Sequence, residues 1–271
     1  MTPFDRILVP VGPGPATERA LTVALELVRH TGVPLRLLSV TRPIDEDEVA
    51  ARVAAVAGPG ALPVEVETRV VGYAQIATAI AGAAEPGTLV CMASHGAYGP
   101  ARTLAAPSIT EEVLRSAAEP VLVVGPRVTR GLSLGDGRVV VCLDGTRYSE
   151  RALAPAQQWS CAFRLPLWLV HAGPSRGSHI DTTGEGDTPA ERWLDTLADS
   201  VGGVDGGQVL HDRRPARALA ALVETTPVAI LVMVTHGRTG WTRVLAGSVT
   251  ASTVRRARAP VLVVPAPAGR V

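Results

Sequence analysis

Lysine is absent from all 271 residues, as is asparagine, so each of the 26 positive side chains is an arginine. Chemistry that requires a lysine, such as a Walker A phosphate clamp or a Schiff base, is thereby excluded. Aromatic residues make up only 3% of the chain, and its net charge of +1 comes without a long basic run, so the footprint of a nucleic-acid surface is missing. No apolar stretch is long enough to span a bilayer. The opening Met1-Thr-Pro-Phe-Asp-Arg-Ile-Leu-Val9 lacks the charged start and long apolar segment of a secretory signal, which sets the expectation of a cytoplasmic protein without a membrane partner. Cys91, Cys142 and Cys161 are odd in number and without metal-type spacing; they are expected to be buried free thiols.

What the chain does have is a second copy of itself. Arg6-Ile-Leu-Val-Pro-Val-Gly12 returns as Arg138-Val-Val-Val-Cys-Leu-Asp144, and Glu18-Arg19-Ala20-Leu21 returns in the same register as Glu150-Arg151-Ala152-Leu153. Further on, Ser94-His95-Gly96 matches Thr235-His236-Gly237, and Pro120-Val-Leu-Val-Val124 matches Pro260-Val-Leu-Val-Val264. A period near half the chain is too long for a solenoid and suits two homologous domains, expected at 1–130 and 138–271 with a glycine-rich linker between them. With 46% apolar residues the chain can fill two cores.

Each half reads as alternating strands and helices. In the first, strands are expected at Ile7 to Val11, Leu35 to Val40, Val64 to Val71, Leu89 to Ala93 and Val121 to Val124, with helices at Thr17 to His30, Asp47 to Ala57, Ala74 to Ala84 and Ser108 to Ala118. Strands near 139–143, 167–171, 208–211, 229–234 and 261–264 repeat the series. Continuous apolar strands between amphipathic helices call for a parallel sheet covered on both faces: an α/β fold of two tandem, doubly wound, Rossmann-like domains. The two Pro-Val-Leu-Val-Val strands would be exposed apolar edges, so the halves are expected to pack through them as a pseudo-dimer.

In such a sheet a ligand binds outside the carboxyl ends of the strands where the strand order reverses. There the second half offers Asp144-Gly145-Thr146 after its first strand, Thr235-His236-Gly237-Arg238-Thr239-Gly240 after its fourth, and Gly247-Ser248 opening the last helix. Glycines admit a phosphate to backbone amides, and a helix N-terminus adds a dipole, so this is an anion cradle made without lysine. Blander roles compete: Asp-Gly is a common turn dipeptide, Ser248 suits an N-cap, Arg238 suits a solvent-facing position, and Arg255, Arg256 and Arg258 complement the dipole at a helix end. Gly12-Pro-Gly14 before a helix imitates a dinucleotide fingerprint, but its repeat counterpart lacks the glycines. His171, His211 and His236 with Asp144 form a metal set only on paper, being scattered without short spacing.

At these residues the sequence resembles the universal stress protein family in its tandem two-domain form. The family's nucleotide-binding members carry Gly-x2-Gly-x9-Gly-Ser/Thr; Gly237 and Gly247-Ser248 follow that pattern, and Val234 stands where the first glycine should be. The resemblance implies sheet order 3-2-1-4-5 and a nucleotide-dependent stress sensor or regulator binding ATP, or another adenine nucleotide, with Mg as a companion ion. It implies that Asp144 and the backbone around Ala172 hold adenine and ribose, while Gly237, Arg238, Gly247, Ser248, Val249 and Thr250 surround the phosphates. A side chain at Val234 is expected to crowd the ribose. The first half departs further, with Gly12 for the aspartate, Ala93 for the first glycine and Ala106-Pro107-Ser108 for Gly-Ser, and reads as a partner that kept the fold and lost the pocket. No base, nucleophile or metal set accompanies the cradle, so at most slow ATP hydrolysis is expected. A ligand-free interaction protein with both pockets vestigial is the alternative, and a metal-dependent hydrolase or nucleotidyl transferase a third class. A homodimer of tandem chains is the expected assembly.

Overall fold

The computed structural model describes residues 2–12, 15–40, 46–57, 64–94, 108–129, 137–173, 188–235 and 249–265. In the first half, apolar runs rich in valine and leucine form β1 (Arg6–Val11), β2 (Leu35–Ser39), β3 (Val64–Thr68), β4 (Thr88–Ala93) and β5 (Val121–Val124). Between them lie α1 (Pro15–Thr31), α2 (Glu46–Ala57), α3 (Ile76–Ala83) and α4 (Ile109–Ser116). The second half repeats the order with β6 (Arg138–Leu143), α5 (Leu153–Phe163), β7 (Leu167–Gly173), α6 (Pro189–Val201), β8 (Gly206–His211), α7 (Pro215–Thr225), β9 (Val228–Val234), α8 (Val249–Arg256) and β10 (Val261–Val264).

Each half has strand order 3-2-1-4-5, and the two sheets run on into one of ten strands, β3-β2-β1-β4-β5-β10-β9-β6-β7-β8. Every pairing is parallel except the central one, where β5 meets β10 antiparallel. Leu122 faces Leu262 there, flanked by Val123 against Val261 and Val121 against Val263, so the repeated segments are related by a local two-fold axis. All six side chains are essentially inaccessible. Burying each stabilises by about 1.5 to 3 kcal/mol relative to leaving it in water, which is why these strands do not end as free edges.

Alternation along the strands divides the core into two layers. One, holding Val9, Leu122, Val232 and Leu262, is covered by α1, α2, α5 and α6; the other, holding Leu8, Val90, Val121 and Met233, by α3, α4, α7 and α8. Both layers cross the seam between the halves. In the first, Phe4 packs on Trp159 at 5.7 Å between ring centroids and His30 on Phe163 at 6.3 Å. In the second, Gly125 lies so close to α8 that a Cβ built on it would stand 2.0 Å from the Val254 carbonyl oxygen. Beside it, Arg127 donates to the Arg256 carbonyl at 3.2 Å and, together with Arg258, pairs with Glu224 at 3.1 Å. At the amino-terminal ends of β6 to β8, Arg138 stacks 3.9 Å over the Trp168 ring, and Gly206 leaves room for the indole.

Three expectations need correction. Cys91 and Cys142 are buried in strands, where loss of solvation pushes each thiol up to about 12, but Cys161 is exposed, on the solvent side of α5. Strand β3 ends at Thr68 rather than Val71, because β2 ends at Ser39; beyond that the Arg69 and Val71 amides still donate to the Ser39 and Val40 carbonyls. The third helix opens with a 3-10 turn, Tyr73–Gln75, before α3.

Candidate functional site

Parallel strands that diverge at their carboxyl ends leave a crevice between them. Pairing of β1 with β4 stops at Leu8 and Val90 although the strands run on to Val11 and Ala93, and pairing of β6 with β9 stops at Val141 and Val232 although they run on to Leu143 and Val234. These are the two positions where strand order reverses, so each half has an opening where a ligand is expected. What lines the two openings differs.

In the second half Asp144 is exposed just past β6. Its Oδ1 accepts from the Thr146 backbone amide at 3.0 Å and from the Thr146 hydroxyl at 2.6 Å, which fixes the carboxylate at the strand end. The Asp144 amide donates to Ser149 Oγ at 3.3 Å, and at the same repeat position the Gly12 amide donates to Thr17 Oγ1 at 3.2 Å. The sequence signal for those two hydroxyls is a Ser or Thr six residues beyond the last residue of each first strand. Gly145, at φ +84°, passes over His171, whose Cε1 lies 3.6 Å from where a Cβ would be. The His171 ring meets Trp193 edge-on at 5.8 Å, and Ala172 beside it is buried in β7. His211 stands near Glu191, whose carboxyl is held below its ordinary range chiefly by the Thr188 amide, with a smaller effect from His211.

Val234 is 7% exposed and belongs to the apolar layer of Val232, Leu143 and Val264, the layer opposite α8. Its side chain is part of the core, so Val234→Gly should lower stability by about 2 to 4 kcal/mol, through lost burial and the freedom of a strand glycine. Urea unfolding checks this; a midpoint equal to the parent's would show that the valine contributes no packing. Next to it, Thr235 is buried and its amide donates to the Val264 carbonyl at 3.0 Å, as the Ser94 amide does to Val124 at 2.9 Å.

The sharpest contrast lies at the helix that follows each fourth strand. The N-terminus of α4 is closed by its own residues: the Glu111 amide donates to Ser108 Oγ at 3.2 Å, and the Ser108 amide donates to the Glu111 carboxylate at 2.8 Å. Glu112 adds a second acid to that first turn. In α8 the residue at the Glu111 position is Ala251, and the first turn holds no acid. Val249, its first residue, is 39% exposed, and Thr250 follows. The signal was in the sequence, as Ser108-Ile-Thr-Glu111 against Ser248-Val-Thr-Ala251. Among the expected site residues the structure thus gives Asp144, Ala172, Val234, Val249 and Thr250. Gly237, Arg238, Gly247 and Ser248 lie outside the described residues, as do His236, Gly96, Ala106 and Pro107.

Comparison with known proteins bears on both halves. The sequence pattern that defines the Universal stress protein family matches residues 43–125 and 137–265. Among solved structures, a universal stress protein from Archaeoglobus fulgidus DSM 4304 is 20% identical, covers 96% of this chain with 98% of its own, and superposes at a TM-score of 0.67. A functionally unknown protein from Pseudomonas aeruginosa PAO1 is 17% identical over 97% of this chain and 92% of its own, at 0.62. A shorter universal stress protein, solved in complex with cAMP, is 27% identical over 47% of this chain and 95% of its own, at 0.37.

Proposed function

Because this chain belongs to the universal stress protein family, with two tandem matches, we propose that its second half binds an adenine nucleotide, ATP or a close relative, in the crevice between β6 and β9. Occupancy of that crevice is the signal that the protein reports as a sensor or regulator. The observation that carries this reading is the missing carboxylate at α8. A helix N-terminus favours one anion beside its free amides. At α4 that anion is the protein's own Glu111, whereas Ala251 leaves the corresponding place at α8 without one. A phosphate supplies it, flanked by Ser248, Val249 and Thr250, with Gly237, Arg238 and Gly247 completing the cradle. Asp144, held by Thr146, and the Ala172 backbone face the nucleoside. A Mg2+ ion, where present, accompanies the phosphates.

The tandem arrangement divides as 1–130 and 138–271 on this reading, with one competent site per chain. Native mass spectrometry of the purified protein, followed by calorimetric titration with ATP, tests it. One equivalent is expected, and Asp144→Ala should weaken binding about tenfold through loss of a charge-assisted contact. Two equivalent sites would overturn the assignment. No bound nucleotide and no heat of titration would favour the ligand-free interaction protein instead.

A further inference from the structure

The crevice of the first half is lined by arginine where the second half has aspartate. From the second turn of α1, Arg19 Nη2 donates to the Ser94 carbonyl, at the end of β4, over 3.5 Å. From α2, Arg52 Nη1 donates to the Gly12 carbonyl, at the end of β1, over 3.3 Å. Continuing the β1 and β4 register beyond Leu8 and Val90 sets Gly12 opposite Ser94, so both guanidinium groups reach the same switch point. Arg52 is paired with Glu48 at 2.9 Å. Arg19 has no ion pair among the described residues, and its Nε is buried without a hydrogen-bond partner. Nor does the sequence after Ser94 offer a counter-ion, since residues 95–107 include Arg102 and no acid. Its repeat counterpart Arg151 is exposed instead, lying 6.0 Å from the centroid of the Tyr148 ring.

A partly buried guanidinium with one long hydrogen bond and no partner for its Nε is costly, and its planar fork of donors matches a tetrahedral oxyanion. We infer that the first half binds a compact phosphate dianion, inorganic phosphate or the phosphate group of a small monoester, on Arg19 at the carboxyl end of β4. Two features set this place apart from the nucleotide crevice of the second half: Arg52 donates to the Gly12 carbonyl, and Gly12 itself stands where the second half has the Asp144 carboxylate for ribose or base. The anion does not sit on α4, whose N-terminus is already closed by Glu111. Phosphate therefore meets the first half through a side chain, where the nucleotide proposed for the second half meets a helix.

The test is calorimetric titration of the full chain with inorganic phosphate, and separately with glycerol phosphate, at constant ionic strength against chloride. It uses Ala251→Glu, which closes α8, as the background. Binding should persist in that background and fall about tenfold or more in Arg19→Gln, with Arg19→Lys between them because it keeps the charge and loses the fork. Heat from both titrants supports a site open to monoesters; heat from inorganic phosphate alone supports one closed around the free ion. Equal affinity in the three forms overturns the inference, as does phosphate binding that disappears with Ala251→Glu alone. Failure of ATP to bind the parent protein would sink the second-half reading without touching this one.

Discussion

Replacing Ala251 with glutamate should weaken nucleotide binding by about a hundredfold or more and make the protein more stable. Ala251 is the third residue of α8, and a carboxylate there, with Ser248 before the helix, recreates the reciprocal bonds that Ser108 and Glu111 make at α4. An acid in a first helical turn contributes about 0.3 to 1 kcal/mol. The same carboxylate would stand where a phosphate is proposed, and two like charges about 4 Å apart near a protein surface repel by about 4 kcal/mol. Affinity should fall on the order of a hundredfold or more. Titration with ATP and urea unfolding of the same preparation read both effects. Weaker binding with lowered stability would point to general damage, and undiminished binding would remove the phosphate from α8.

Gly125→Ala should be the most damaging single-methyl change at the seam. The new Cβ would lie 2.0 Å from the Val254 carbonyl oxygen, and neither backbone is free to retreat. Gly125 directly follows β5 and its carbonyl accepts from the Val128 amide at 3.2 Å, while the end of α8 is held through Arg127 on the Arg256 carbonyl. A clash between two fixed main chains costs about 3 kcal/mol, at the upper end of overpacking penalties. The urea midpoint, followed by far-UV circular dichroism, should drop accordingly. A midpoint matching the parent's would mean that the close approach of β5 and α8 is dispensable.

The strands were legible because each is a short apolar run written twice: β5 and β10 were bounded correctly, and β1, β4, β6 and β9 to within a residue or so. The sheet order followed from strand and helix alternation with the family resemblance. The pairing of Leu122 with Leu262 was foreseeable from the cost of leaving two identical apolar edges exposed. Tertiary detail was not. Nothing in the sequence around Gly125 announces that its missing side chain makes room for a carbonyl of α8, since that contact joins residues far apart in the chain. Free cysteines are usually buried, but at Cys161 helix phase, which puts it on the outside of α5, outweighs that habit. The motif gives Val234 a place at the pocket but not the direction of its side chain, which its alternation with Met233 sets in the layer of Val232 and Val264. The glutamate of α4 and its absence from α8 stand in the sequence itself, as Glu111 against Ala251.

The antiparallel join of β5 and β10 has a consequence for inheritance. In a two-fold assembly of identical subunits every substitution is made twice, once in each copy, and a change that harms one crevice harms both. Tethering the copies removes that constraint, because the second is always present at a high effective concentration and dilution does not part them. Each crevice is then free to mutate alone while the seam, where both copies still meet through the same five-residue segment, keeps its sequence. Gly12 against Asp144 and Glu111 against Ala251 are differences that a symmetric pair of identical chains has no means of encoding.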